Sequence, residues 1–153
     1  MILKGIIDED FVNYKLPSMV LMFPKCSFKC GNVCQNISLA DEDEVNISAL
    51  SLAERYIKNP ITKAVVCQGL EPFDTFEHLL LFITVFRDFS NDDIVIYTGY
   101  TEQEVIQNNW LNPLKKAGNI VIKYGRYIPG DQPHLDDVLG VKLASDNQYA
   151  VRY

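Results

Sequence analysis

Apolar residues along this chain switch between short continuous runs and stretches with helical spacing. Met19 to Phe23 form an unbroken apolar run between Ser18 and Pro24, so residues 18–23 predict a buried strand. Residues 63–67 (KAVVC), 93–97 (DIVIY) and 119–123 (NIVIK) repeat the pattern. Between these runs the period changes to that of a helix. Residues 47–58 set Ile47, Leu50, Ala53 and Ile57 on one face. Residues 75–88 place Phe76, Leu79, Leu80, Ile83 and Phe86 at i, i+3, i+4, i+7 spacing. Thr101 to Glu104 spells T-x-x-E, a capping box that starts a helix carrying Val105, Ile106 and Trp110. Residues 2–7 and 148–152 read as edge strands.

Strands that alternate with helices imply a parallel sheet with right-handed helical crossovers. Four parallel strands are too few for a closed eight-stranded barrel. The predicted fold is therefore α/β, either an open, partial (β/α) barrel or a small doubly wound sheet. A chain of 153 residues with no repeat, low-complexity tract or clear linker predicts one compact domain, 1–153.

Charge narrows the partners. The net charge of −6 and a pI of about 4.8 oppose non-specific nucleic-acid binding, which rests on Lys and Arg at phosphates. They equally oppose an anionic membrane surface. The start, MILKGIIDED, turns acidic too early for a secretory signal, and no apolar run reaches the ~20 residues that span a bilayer. The expectation is a cytoplasmic protein with no nucleic-acid or membrane partner. In that compartment thiols stay reduced, and clustered cysteines more often bind metal or catalyse.

Ligands of parallel α/β folds sit at the carboxyl ends of the strands, so the segments that follow the strands form a set. These are PKCSFKCGNVCQN, QGLEPF, TGYT and YGRYIPG. The first holds Cys26, Cys30 and Cys34, spaced C-x3-C-x3-C. Three thiolates suit a 4Fe-4S cluster and leave one iron open. A structural zinc site would want four ligands, and Cys67 is the candidate fourth. Unligated cysteines are the plain alternative. In the second segment, Gly69-Leu70-Glu71-Pro72 has a structural reading as a turn. It also has a functional one, in which the Glu71 carboxylate holds an amino group. Thr98 and Gly99 offer a hydroxyl and a close backbone approach, or simply a strand-to-helix turn.

These segments resemble the radical S-adenosylmethionine enzymes and, more narrowly, the activating proteins of anaerobic ribonucleoside-triphosphate reductase. CSFKCGNVCQN resembles the cluster loop, QGLEP the Gly-Gly-Glu-Pro motif, and YTGYTEQEV a strand-to-helix turn. YGRYIPG with LASDNQYAV resembles the C-terminal segment. The family usually has C-x3-C-x2-C with an aromatic before the third cysteine. Here one more residue separates Cys30 from Cys34, Val33 stands in place of the aromatic, and Leu70 replaces the second glycine. The resemblance implies that Cys26, Cys30 and Cys34 ligate a 4Fe-4S cluster whose fourth iron binds S-adenosylmethionine. It implies one-electron cleavage fed by a flavodoxin- or ferredoxin-like donor, and a glycyl radical installed on an anaerobic ribonucleotide reductase or another glycyl-radical protein. It places Val33 near the adenine, Gly69 and Glu71 near the methionyl amine, and Thr98 and Gly99 on the ribose side. The alternatives from other classes are a non-catalytic iron–sulfur or zinc module and a radical enzyme with another protein or small-molecule substrate.

The remaining residues have plain readings. His78 is expected on the solvent side of its helix, His134 in a loop, Asp41 to Glu44 in a solvated turn, and Trp110 in the core.

Overall fold

Each predicted parallel strand forms, within two residues at either end, in a computed structural model that describes residues 1–28 and 33–153. In chain order the elements are β1 (Ile2–Leu3), β2 (Gly5–Asp10), β3 (Ser18–Phe23), β4 (Val45–Asn46), α1 (Ala49–Lys58), β5 (Ala64–Gly69) and α2 (Phe76–Arg87). They continue with β6 (Asp93–Tyr97), α3 (Glu102–Gln107), α4 (Leu111–Ala117), β7 (Ile120–Tyr124), β8 (His134–Asp136), β9 (Val141–Leu143) and β10 (Tyr149–Arg152).

The main sheet has six strands in the order β10-β7-β6-β5-β3-β2. The four central strands run parallel, and both edge strands are antiparallel to their neighbours. The architecture is mixed α/β with a mostly parallel, open sheet. The parallel strands follow one another in chain order, so right-handed crossovers put their helices on one face. A doubly wound arrangement is thereby excluded, because it needs the strand order to reverse.

Alternation along the strands separates two cores. Leu21, Phe23, Cys67, Ile96 and Ile122 face the helices and join Leu52, Phe82 and Phe86. Val20, Val66, Val95 and Val121 face the other way, where Tyr14, Leu139 and Leu143 cover them. Leu139 and Leu143 belong to the β8–β9 hairpin region. The hairpin was not anticipated, and it places His134 in a strand rather than a loop. Among the described residues no helix is long and apolar enough to cross a membrane.

Several elements depart from the periodicity. The expected 2–7 strand is divided: β1 pairs with β4, while β2 runs to Asp10 along β3. In α1 the buried face is Ala49, Leu52, Ala53 and Tyr56, whereas Leu50 and Ile57 are half exposed. Tyr56 wins an inward place because its ring packs on Phe86 while its hydroxyl donates to Asp92 at 2.6 Å. The capping box at Thr101 forms as predicted. Its helix stops at Gln107, where Asn109 turns to φ 59°, and Trp110 stacks on Phe73 before α4 begins. His78 is half-buried, with Nδ1 enclosed, rather than solvent-facing.

Candidate functional site

The carboxyl ends of β3, β5, β6 and β7 surround a cavity of about 350 Å3, a size suited to a small ligand. Cys26, Val33 and Cys34 line it from the loop after β3. Gly69 and Glu71 line it from the end of β5, and Thr98 and Gly99 from the turn after β6. The structure thus brings every described site residue expected from the sequence to one cavity. Cys30 lies outside the described residues.

The cysteine loop is fastened on both sides of Cys26. The Glu71 N–H donates to the Lys25 carbonyl at 2.7 Å. The N–H and hydroxyl of Ser27 both donate to the Asp74 carboxylate, which also accepts from the Tyr100 hydroxyl at 2.7 Å. The Phe28 ring lies 4.6 Å from that of Tyr100, and the Arg126 guanidinium sits over the Phe28 ring, 4.2 Å from its centroid. Glu104 holds Arg126 through two hydrogen bonds of 3.2 and 3.3 Å. Gly99 permits this packing, since a Cβ there would stand 2.5 Å from the Phe28 ring. Beyond Cys34, the Asn36 amide donates to the Gly69 carbonyl at 2.9 Å. Gly69 itself has φ +108°, and a Cβ would meet the Phe23 nitrogen at 2.7 Å. Only glycine lets β5 end so close to β3.

Glu71 is 1% exposed. Its carboxylate accepts from the Thr98 hydroxyl at 2.8 Å, the Gly99 N–H at 2.9 Å and the Phe73 N–H at 3.2 Å. These bonds join the β5 and β6 turns and use three of the roughly four acceptor positions of a carboxylate. Burial pushes Glu71 up to about 7, outweighing the opposing effect of its three donors. Thr98 Oγ1 also accepts from the Tyr100 N–H at 3.0 Å.

The fourth wall comes from β7. Lys123 is 6% exposed and donates to the Gly125 carbonyl at 2.8 Å. Gln148 donates to the same carbonyl at 3.2 Å, and the Asn147 amide donates to the Arg126 carbonyl at 2.9 Å. The Asn-Gln pair in the C-terminal segment therefore shapes the turn after β7. Lys123, Arg126, Phe28 and Asp74 escaped the sequence reading. The visible sign for Lys123 is a lone cation closing the apolar run NIVIK; Phe28 lies within the cysteine motif itself.

Cys67 does not belong to the site. It is fully buried on the helix-packed face, and its apolar surroundings push its thiol well above the usual range. It is thereby removed as a fourth metal ligand. Among the described residues no three His, Cys, Asp or Glu side chains gather as metal donors; Cys26 and Cys34, the two described thiols of the motif, line the same cavity.

A parallel α/β sheet with a thiol-lined cavity at its carboxyl rim defines a class of site-bearing scaffold in which the strand ends supply the ligands. The particular family follows from comparison. Residues 17–139 match the model of the 4Fe-4S single cluster domain, and this chain belongs to that family. The match runs from just before β3 into the turn between β8 and β9, so it contains all four parallel strands and the whole cysteine loop. No curated protein and no solved structure matches the chain.

Proposed function

We propose that this chain is a radical S-adenosylmethionine enzyme whose 4Fe-4S cluster is held by Cys26, Cys30 and Cys34. The observation that carries the reading is the cavity at the strand ends, which Cys26, Cys34 and Glu71 line together. The thiol donor set suits the cluster of the family. The exclusion of Cys67 favours three ligands over four, and the sequential order of the parallel strands is compatible with a partial barrel. With its ligand bound, the cluster would supply one-electron cleavage of the sulfonium bond to methionine and a 5′-deoxyadenosyl radical, the electron coming from a reduced flavodoxin- or ferredoxin-like donor.

The chain's own residues bind and orient. Asp74, Tyr100 and Arg126 keep the cysteine loop in place. Gly69 brings backbone close to the ligand, and Glu71 offers its remaining acceptor position to the methionyl amine. Val33, which is half exposed at the cavity, would lie against the adenine, and Thr98 and Gly99 on the ribose side. The substrate we assign is a glycine of an anaerobic ribonucleotide reductase or a similar glycyl-radical protein, which would give up a hydrogen atom. The open rim of the cavity admits a protein loop.

Anaerobic reconstitution tests the reading. The loaded protein should release methionine and 5′-deoxyadenosine from S-adenosylmethionine in the presence of dithionite, and Cys34→Ala should abolish release. A reconstituted protein that holds three to four irons per chain and never cleaves the compound refutes the proposal and leaves the non-catalytic cluster module.

A further inference from the structure

Gln68 lies near the end of β5, half-buried, and lines the cavity. Val66, two residues earlier, packs on the face away from the helices, whereas Cys67 packs toward them. Strand alternation therefore puts Gln68 on the face of Val66. Register extends it into a row. Met22 pairs with Gln68 and Tyr97 with Lys123, while Cys67 and Ile96 pair one step below. Met22, Gln68, Tyr97 and Lys123 thus form the last layer of that face, next to the layer of Val20, Val66, Val95 and Val121. The other polar members of the row are committed. The Tyr97 hydroxyl donates to the Asn13 carbonyl at 2.6 Å. Lys123 donates to the Gly125 carbonyl and is attracted by the Glu71 carboxylate. Among the described residues the Gln68 side-chain amide makes no hydrogen bond, although it carries two N–H donors and a carbonyl acceptor.

We infer that Gln68 is a positioning residue that pairs with the peptide backbone of the substrate's glycine. The inference rests on the proposed function, in which a protein loop enters the rim and its glycine yields a hydrogen atom. A neutral group with donor and acceptor side by side complements one peptide unit, whereas an ionised group would gain more from a charged partner. Glycine has no side chain at the reacting carbon, so its peptide groups are the only handles beside the bond that breaks. In the transfer the glycine Cα–H bond breaks and a C–H bond forms at the 5′ carbon of the deoxyadenosyl radical, leaving the unpaired electron on the glycine. Holding the peptide unit fixes where that Cα–H bond points, and a 1 Å misplacement costs on the order of 10²-fold in rate.

The test compares wild type with Gln68→Met, which keeps the length and removes the amide, in anaerobically reconstituted protein. The probe is acetyl-Ala-Gly-Ala-amide, its glycine carrying carbon-13 for binding and deuterium for transfer. Binding is read with S-adenosylmethionine present and no reductant, from the shift of the glycine carbon signal. Wild type should bind this peptide more tightly than the ester analogue in which oxygen replaces the glycine N–H. Gln68→Met should bind the peptide about fivefold or more weakly, the scale of one neutral hydrogen bond. It should also discriminate less against the ester, a coupling that a merely structural residue would not produce. With dithionite, the deuterium recovered in 5′-deoxyadenosine per methionine released should fall by at least as much. Iron content, affinity for S-adenosylmethionine and unfolding temperature should stay at their wild-type values. Peptide affinity within twofold of wild type, or equal discrimination against the ester in the two proteins, overturns the assignment. So does a variant that loses iron, stability or affinity for S-adenosylmethionine, and so does a wild type that cleaves S-adenosylmethionine yet takes no deuterium from the peptide. If wild type never cleaves the compound, the reading of the cavity itself has failed, a result distinct from a failure confined to the peptide.

Discussion

At the scale of single residues, Glu71 carries the most consequence, because one carboxylate joins two turns while lining a cavity. Its raised pKa has a defined sign. The folded chain holds the Glu71 proton up to about pH 7, whereas the unfolded chain releases it near pH 4.5. Between those values the folded state binds more protons, so stability falls as pH rises. The contribution is whole below pH 4.5 and is lost by about pH 7, on the order of 3 kcal/mol for a shift of this size. Urea unfolding of iron-free wild type and Glu71→Gln from pH 4.5 to 8 isolates it, since the variant lacks the titration. The wild-type midpoint should decline relative to the variant across that window, and a flat difference would give Glu71 an ordinary pKa. Gly99 is constrained by space instead. Gly99→Ala pushes a methyl into the Phe28 ring and should displace the cysteine loop more than it lowers the unfolding temperature, as read by iron retained per chain.

Between elements, the turns after β3, β5, β6 and β7 form one fastening. Asp74 collects Ser27 and Tyr100, while Arg126 and Tyr100 flank Phe28. Of these residues only Tyr100 also packs against a main core, so substitutions at Asp74 and Arg126 separate loop placement from global stability. Asp74→Ala removes three hydrogen bonds at a net ~1 kcal/mol each. Arg126→Ala removes a cation–π contact worth about 0.5–2 kcal/mol. Each variant should lose iron about tenfold or more faster than wild type on gel filtration, with a much smaller change in unfolding temperature. Wild-type iron retention in both would show that the loop is held elsewhere. The strands themselves were legible because buried parallel strands are continuous apolar runs, as in VLMF and IVIY. The α1 face was not, since Tyr56 reads as polar by its hydroxyl, yet the ring is buried and the hydroxyl is satisfied by Asp92. The β8–β9 hairpin has strands of only three residues, alternating in burial, too short for periodicity to register.

For the molecule as a whole, the place of Cys67 within a strand sets it apart from the cysteines of the rim loop. Reading the strand ends as one rim was enough to gather Cys26, Cys34, Gly69, Glu71, Thr98 and Gly99, because chain order fixes which loops share an end of a parallel sheet. It was not enough for Cys67 or Lys123, whose roles depend on which face each side chain takes. Cys67 shares the helix-packed face with Ile96 and Ile122, whereas Lys123 lies on the opposite face with Val121. A two-residue period gives that assignment only once one residue of the strand is anchored to a face. The division is measurable. In iron-free protein at pH 8, iodoacetamide should label Cys34, which is half-buried at the rim, without any opening of the core. Cys67, fully buried and with its thiol pKa raised, should label only through opening of the core. Its rate should then be slowed by about the global unfolding constant, 10³-fold or more for a domain of ordinary stability. Urea below the unfolding midpoint should accelerate Cys67 labelling with the full equilibrium slope and leave Cys34 nearly unaffected, as followed by peptide mass spectrometry. Native labelling of Cys67 at a rate near that of Cys34 would place it at the rim and restore it as a fourth ligand. Slow, urea-dependent labelling would accord with the proposed cluster, held by three thiolates of this chain with one iron open to the ligand.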